Sequence, residues 1–144
     1  MGTRSLTFFY NELTGDKPFA GFYRQMDGYP EGHGKQLAEF LAGISMCNGF
    51  GMGAEAGAMA NGPGCLAAQV VAKFKNEHGI GGIYLIAPVL DEDHSQEYEY
   101  HVYADHEAIR IRVVDVGYMS PNEDIFDGSA SDVLAWLEKR KEEG

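Results

Sequence analysis

Residues 97–114, Glu97-Tyr98-Glu99-Tyr100-His101-Val102-Tyr103-Ala104-Asp105-His106-Glu107-Ala108-Ile109-Arg110-Ile111-Arg112-Val113-Val114, carry the strongest strand signal in the chain. Tyr98, Tyr100 and Val102 alternate with Glu97, Glu99 and His101, and Ile109, Ile111 and Val113 alternate with Arg110 and Arg112. A period of two marks strands with one apolar face. A two-residue turn at Asp105-His106 predicts Val102 opposite Ile109, Tyr100 opposite Ile111 and Tyr98 opposite Val113. The other face then sets Glu99 against Arg112 and His101 against Arg110, so both faces agree on one hairpin.

The remaining elements extend outward from this hairpin. Residues 4–10 and 19–26 are rich in aromatic and β-branched types and predict two antiparallel strands across the turn-forming segment 11–17. Leu37, Phe40, Leu41 and Ile44 recur at helical spacing and predict a helix over 34–44. Pro63 opens a second helix that carries Leu66, Val70 and Phe74 on one side and ends at Gly79. Residues 82–87 predict an apolar, central strand ending at Pro88, and residues 116–120 a short strand or extended turn. Ser129 and Asp132 resemble a capping box for a last helix, with Trp136 as its anchor on the sheet. Residues 45–62 lack a period and predict an irregular loop, with a weak helical turn at 54–60. The order β-β-α-α-β-β-β-α predicts a single α+β domain over 1–144. Its antiparallel or mixed sheet has about five strands, with three helices packed mainly on one face.

Composition narrows the function classes. The chain has 144 residues and a formal charge of -11. Residues 1–90 carry 7 acids and 6 bases, whereas 91–144 carry 15 acids and 5 bases. Such a surface repels phosphate backbones, so direct nucleic-acid binding is not expected. The acidic half could imitate a nucleic acid as an inhibitor, attract a basic protein, or serve solubility. The N-terminus has no signal-peptide pattern and no run is long enough to span a membrane, so a cytoplasmic location is expected. Cys47 and Cys65 are expected to be reduced thiols, because a chain of this length needs no bridge to hold its core, and without a C-x-x-C pair no zinc site is expected.

The densest cluster of functional residue types is Tyr23-Arg24-Gln25-Met26-Asp27-Gly28-Tyr29-Pro30-Glu31-Gly32-His33-Gly34. Arg24 shares its strand face with Phe22 and Met26. If that face points inward, the guanidinium needs a buried carboxylate or a ligand, and Asp27 is a nearby candidate. Asp27, Glu31 and His33 offer oxygen and nitrogen donors to a divalent ion, though at no established metal spacing. The structural alternative is a tight turn: Asp27 capping backbone N–H groups, Gly28 and Gly32 at positive φ, and Pro30 stiffening the chain. Arg24, Asp27, Tyr29, Glu31 and His33 are the candidate ligand-binding residues. No cofactor motif is present: Gly49-Phe50-Gly51-Met52-Gly53 lacks the lysine and hydroxyl of a phosphate loop. No serine or cysteine lies in a nucleophile context.

Thr3-Arg4-Ser5, Tyr23-Arg24 and Asp27-Gly28-Tyr29-Pro30-Glu31-Gly32-His33-Gly34 together resemble a family of small bacteriophage and prophage proteins of uncharacterised activity. Met26 stands where that family usually has tryptophan, and the likeness covers about the first 40 residues. The resemblance implies a phage or prophage setting and a common fold. The functional expectation is a non-catalytic accessory protein that binds a host protein or small ligand, with self-association through apolar loop residues. The alternatives are a small metal-dependent hydrolase built on Asp27, Glu31 and His33, and an acidic nucleic-acid mimic.

Overall fold

The computed structural model describes residues 2–49, 59–117 and 120–143. Its strands are β1 (Ser5–Tyr10), β2 (Ala20–Arg24), β3 (Ser45–Cys47), β4 (Met59–Asn61), β5 (Ile83–Ile86), β6 (Tyr98–Ala104), β7 (Ile109–Asp115) and β8 (Glu123–Gly128). Its helices are α1 (Lys35–Ala42), preceded by a π turn at Pro30–Gly34, α2 (Gly62–His78) and α3 (Ala130–Glu143). Six strands form one mixed sheet in the order β5-β2-β1-β6-β7-β8, and β3 and β4 form a small parallel pair. Within the large sheet β1 and β6 run parallel, and every other neighbouring pair is antiparallel.

All three helices cover one face, so the α+β reading holds. Leu37 and Leu41 of α1, Leu66, Val70 and Phe74 of α2, and Val133 and Leu137 of α3 share one core. That core also holds Phe9, Phe22, Tyr100, Val102, Ile111 and Val113 of the sheet. Alternation put the apolar side chains on the correct face, but the β6–β7 register lies two residues from the expected one. Val102 pairs with Ile111 and Tyr100 with Val113, which sets His101 opposite Arg112 and Glu99 opposite Val114. The reason is the turn. Asp105 N–H donates to the Ala108 carbonyl at 3.2 Å, and its carboxylate accepts the N–H groups of Glu107 and Ala108. The loop is therefore four residues long. A slip of two preserves the faces, so hydrophobic pattern alone cannot detect it.

The opposite face is buried as well. Leu6, Phe8, Tyr10 and Tyr103 form a second cluster flanked by Leu13, Tyr23 and Ile86. To pass from β5 to β6 the chain must cross β2 and β1. Residues 87–97 do so on this face, where the His94 ring lies 6.2 Å from that of Tyr23. His101, expected on a polar face, is only 2% exposed. Glu99 Oε1 accepts from its Nε2, and its Nδ1 accepts from Tyr10 Oη at 2.7 Å.

Three elements depart from expectation. β5 is an edge strand rather than a central one, and Tyr84 and Leu85 are 53% and 71% exposed. Its apolar run reflects an uncovered edge, not burial on both faces. β8 was not foreseen, because Glu123, Asp124 and Asp127 are poor strand formers. It is held by cross-strand ion pairs, Arg110 with both oxygens of Asp127 and Arg112 with Asp124. The short β3–β4 pair brackets the glycine-rich segment, and the helical turn expected at 54–60 lies largely outside the described residues.

At α3 the capping box is reciprocal: Ser129 Oγ accepts from Asp132 N–H, and Asp132 Oδ2 accepts from Ser129 N–H, both at 3.1 Å. Val133 and Leu137 are its buried anchors. Trp136 stays half-buried, stacked 4.9 Å from Phe126 of β8 beneath the Arg140 guanidinium.

Candidate functional site

The motif after β2 folds back onto the start of β1. Gly28 N–H donates to the Thr3 carbonyl at 2.8 Å, and Tyr100 Oη donates to the Gly28 carbonyl at 2.7 Å. The Asp27 carbonyl accepts the His33 N–H at 2.8 Å, closing the loop from 27 to 33. Gly28 and Gly32 do not take positive φ as expected. They supply room: a Cβ on Gly28 would lie 2.7 Å from the Thr3 carbonyl oxygen, and one on Gly32 2.5 Å from that of Asp27. The left-handed residue is Asp27 itself, at φ 59°. Aspartate tolerates that region better than most side chains do. Among the described residues its carboxylate caps no backbone N–H and has only the Tyr29 hydroxyl, at 3.4 Å.

The inward face of β2 is the one carrying Phe22 and Arg24, which are 0% and 3% exposed. Arg24 is held by neutral groups. Its Nη1 donates to His33 Nδ1 at 3.0 Å and to Gln36 Oε1 at 2.6 Å, and the guanidinium lies 5.8 Å from the centre of the Phe74 ring. A guanidinium only donates, so His33 Nδ1 must be an acceptor. His33 is then the Nε2–H tautomer, and that proton goes to Thr7 Oγ1 at 2.8 Å. Burial, followed by the neighbouring Arg24 charge, holds the His33 pKa well below the ordinary imidazole value. The ring is neutral and both nitrogens are committed.

These contacts separate the predicted metal residues. His33 is fully buried between Phe22, Phe74 and Tyr100. Glu31 turns toward α3, where Arg140 Nε donates to its carboxylate at 2.8 Å. Asp27 is exposed and lies beside Tyr29. Among the described residues no group of three His, Cys, Asp or Glu side chains is placed to hold a metal ion. Arg24 and Asp27 are brought together, Tyr29 sits beside Asp27, and Glu31 and His33 serve the fold.

Arg24 and Asp27 line one cavity of about 310 Å³ with Met26, His78, Ile80, Gly81 and Gly82. Asp27 is the charge that acts most strongly on Arg24, yet the two form no ion pair. Burial lowers the Arg24 pKa. With both Nη1 hydrogens used, its Nε–H and Nη2 hydrogens have no acceptor among the described residues. His78 lines the same cavity, and its Nε2 is buried with no partner among the described residues. Burial, followed by Arg24, lowers the His78 pKa. A larger groove of about 610 Å³ runs between α1 and α3, floored by Leu134 and Leu137 and edged by Glu31, Lys35, Glu39, Glu138 and Lys141. Its charges are exposed and of mixed sign, and it holds no buried polar group in need of a partner. The Arg24 cavity is therefore the better candidate.

Sequence reading found Arg24 and Asp27 but missed His78, Gly81 and Gly82, which were legible only as a helix end. The acidic residues of the second half do not form one stripe. Glu99 is buried, Asp124 and Asp127 are paired with arginines, and residues 91–97 and the α3 acids belong to segments on opposite faces of the sheet. Cys47 and Cys65 are free thiols. No described helix is long and apolar enough to cross a membrane. Comparison with family models, curated proteins and solved structures gives no match to the chain.

Proposed function

We propose that this is a non-catalytic accessory protein that captures a small carboxylate-bearing ligand in the Arg24 cavity. One observation carries the reading. Arg24 is 3% exposed, lines an open cavity, and among the described residues is hydrogen-bonded only to neutral side chains, its Nε–H and Nη2 hydrogens having no acceptor there. A desolvated charge without a counter-ion is costly, and a bidentate carboxylate is the group that matches a guanidinium fork. The cavity is at the small end of ligand sites. Among the described residues its lining contains no serine, threonine or cysteine, which supports binding rather than nucleophilic chemistry. The resemblance of the opening motif to phage and prophage proteins would place such binding in a viral setting.

Titration of the full chain with sodium acetate, followed by ¹H–¹⁵N spectra that include arginine Nε–H, tests this. Saturable shifts at Arg24 Nε and at the amides of Gly81 and Gly82 are expected, with no comparable shift from sodium chloride at equal ionic strength. Shifts confined to exposed Lys and Arg, or none at Arg24, would overturn the assignment.

A further inference from the structure

The Arg24 cavity is not simply cationic. Asp27 stands on its wall, and α2 ends at His78 beside it, presenting the negative end of a 17-residue helix. Glu77 and Asp27 both act on the Arg24 and His78 charges from nearby. A bare anion entering here gains the guanidinium but meets the Asp27 carboxylate and the carbonyl end of α2. A bare cation gains those two but meets the guanidinium. Neither charge alone matches the site.

Asp27 is also available. The residue is exposed, makes no ion pair with Arg24, and among the described residues its carboxylate has only a long contact from the Tyr29 hydroxyl. It is held at φ 59°, a conformation of higher energy for any residue other than glycine. That backbone is fixed by the His33 N–H on the Asp27 carbonyl and by the lack of a side chain at Gly32. The turn therefore holds a carboxylate near a buried guanidinium with no ion pair between them. Around the opening, Met26 and Ile80 are 52% and 103% exposed and offer apolar contact.

We infer that the ligand is a free α-amino acid with an apolar side chain, its carboxylate on Arg24, its ammonium on Asp27 and the end of α2, and its side chain against Met26 and Ile80. This rests on the Arg24 reading above and specifies the ligand class. An α-amino acid carries an ammonium and a carboxylate on the same carbon, which is the pattern that one guanidinium and one carboxylate lining the same small cavity recognise.

The test is calorimetric titration of the full chain with L-leucine, 4-methylpentanoate and 3-methylbutylamine, repeated on Asp27→Asn. The second and third probes are leucine without its ammonium and without its carboxylate. Asparagine accepts the left-handed backbone at least as well as aspartate does, so the variant is expected to fold. Leucine should bind the unaltered protein at least tenfold more tightly than either truncated probe. Asp27→Asn should weaken leucine about tenfold while leaving 4-methylpentanoate unchanged or tighter. If 4-methylpentanoate binds as tightly as leucine, or Asp27→Asn leaves leucine unaffected, the amino-acid inference fails while carboxylate capture by Arg24 stands. If none of the three probes binds, both fail.

Discussion

Replacing Thr7 by valine tests the proton assignment on which the site is built. Thr7 and His33 are both 0% exposed, and Thr7 Oγ1 lies 2.8 Å from His33 Nε2. Because Arg24 must donate to Nδ1, His33 cannot escape the loss by changing tautomer. Valine keeps the shape of threonine, so the substitution removes one hydrogen bond and leaves a buried N–H without an acceptor. Such a group costs about 1–3 kcal/mol. At roughly 2.1 cal/mol/K of unfolding entropy per residue, a cost of about 2 kcal/mol corresponds to a fall in Tm of about 7 °C for a chain of this length. Thr7→Ser retains the hydroxyl and loses one methyl, so it should cost only about 1 kcal/mol. Urea unfolding of the three proteins gives the energies, and long-range ¹H–¹⁵N spectra of the His33 ring give the tautomer. A Thr7→Val protein as stable as the unaltered one, or a His33 ring protonated at Nδ1, would refute the arrangement of Arg24, His33 and Thr7.

Three further outcomes follow from the same structure. His33 and His101 are both depressed in the folded state, chiefly by burial, so the unfolded chain binds more protons below pH 6.5. Stability should therefore fall with pH from about 6.5 downward, until each folded-state pKa is passed, at up to about 1.4 kcal/mol per pH unit for each ring. Urea midpoints between pH 7.5 and 5.5 measure this, and a flat profile would contradict the burial of neutral rings. Tyr10→Phe should cost about 2 kcal/mol, since it strips the donor from His101 Nδ1 in a site only 2% exposed; calorimetric unfolding would show no change if the contact is unimportant. Ser129→Ala should cost about 1 kcal/mol by removing the cap of α3. Chemical denaturation should then show the loss with an unchanged m-value, and an equal loss in Ser129→Thr would argue against the cap.

The parts legible in the sequence were those governed by local rules. The two-residue alternation at 98–113 assigned faces correctly, and Ser129 with Asp132 marked the start of α3. Turn length was hidden, because a register shift by two leaves every face unchanged. β8 was hidden because its acids become strand residues only when Arg110 and Arg112 of the neighbouring strand neutralise them. The second buried face was hidden because it depends on where residues 87–97 travel. Its polar members, Glu99 and His101, read as solvent-facing until Tyr10 and Gln96 are seen to satisfy them.

The candidate site divides along the same line. Arg24 on the face of Phe22 announced a charge that would need a partner, and this much follows from strand periodicity alone. Which partner it has is a tertiary fact. The nearest carboxylate in sequence, Asp27, forms no ion pair with it, and the nearest base, His33, is spent as a neutral acceptor on one of five donors. Gln36 takes a second. What remains is an arginine half satisfied by groups that cannot carry its charge, beside a carboxylate that does not reach it. A purely structural role would be better served by an ion pair between the two. That the two line one cavity without forming an ion pair is the feature on which the proposed ligand capture rests, and it is what Asp27→Asn and the truncated probes interrogate.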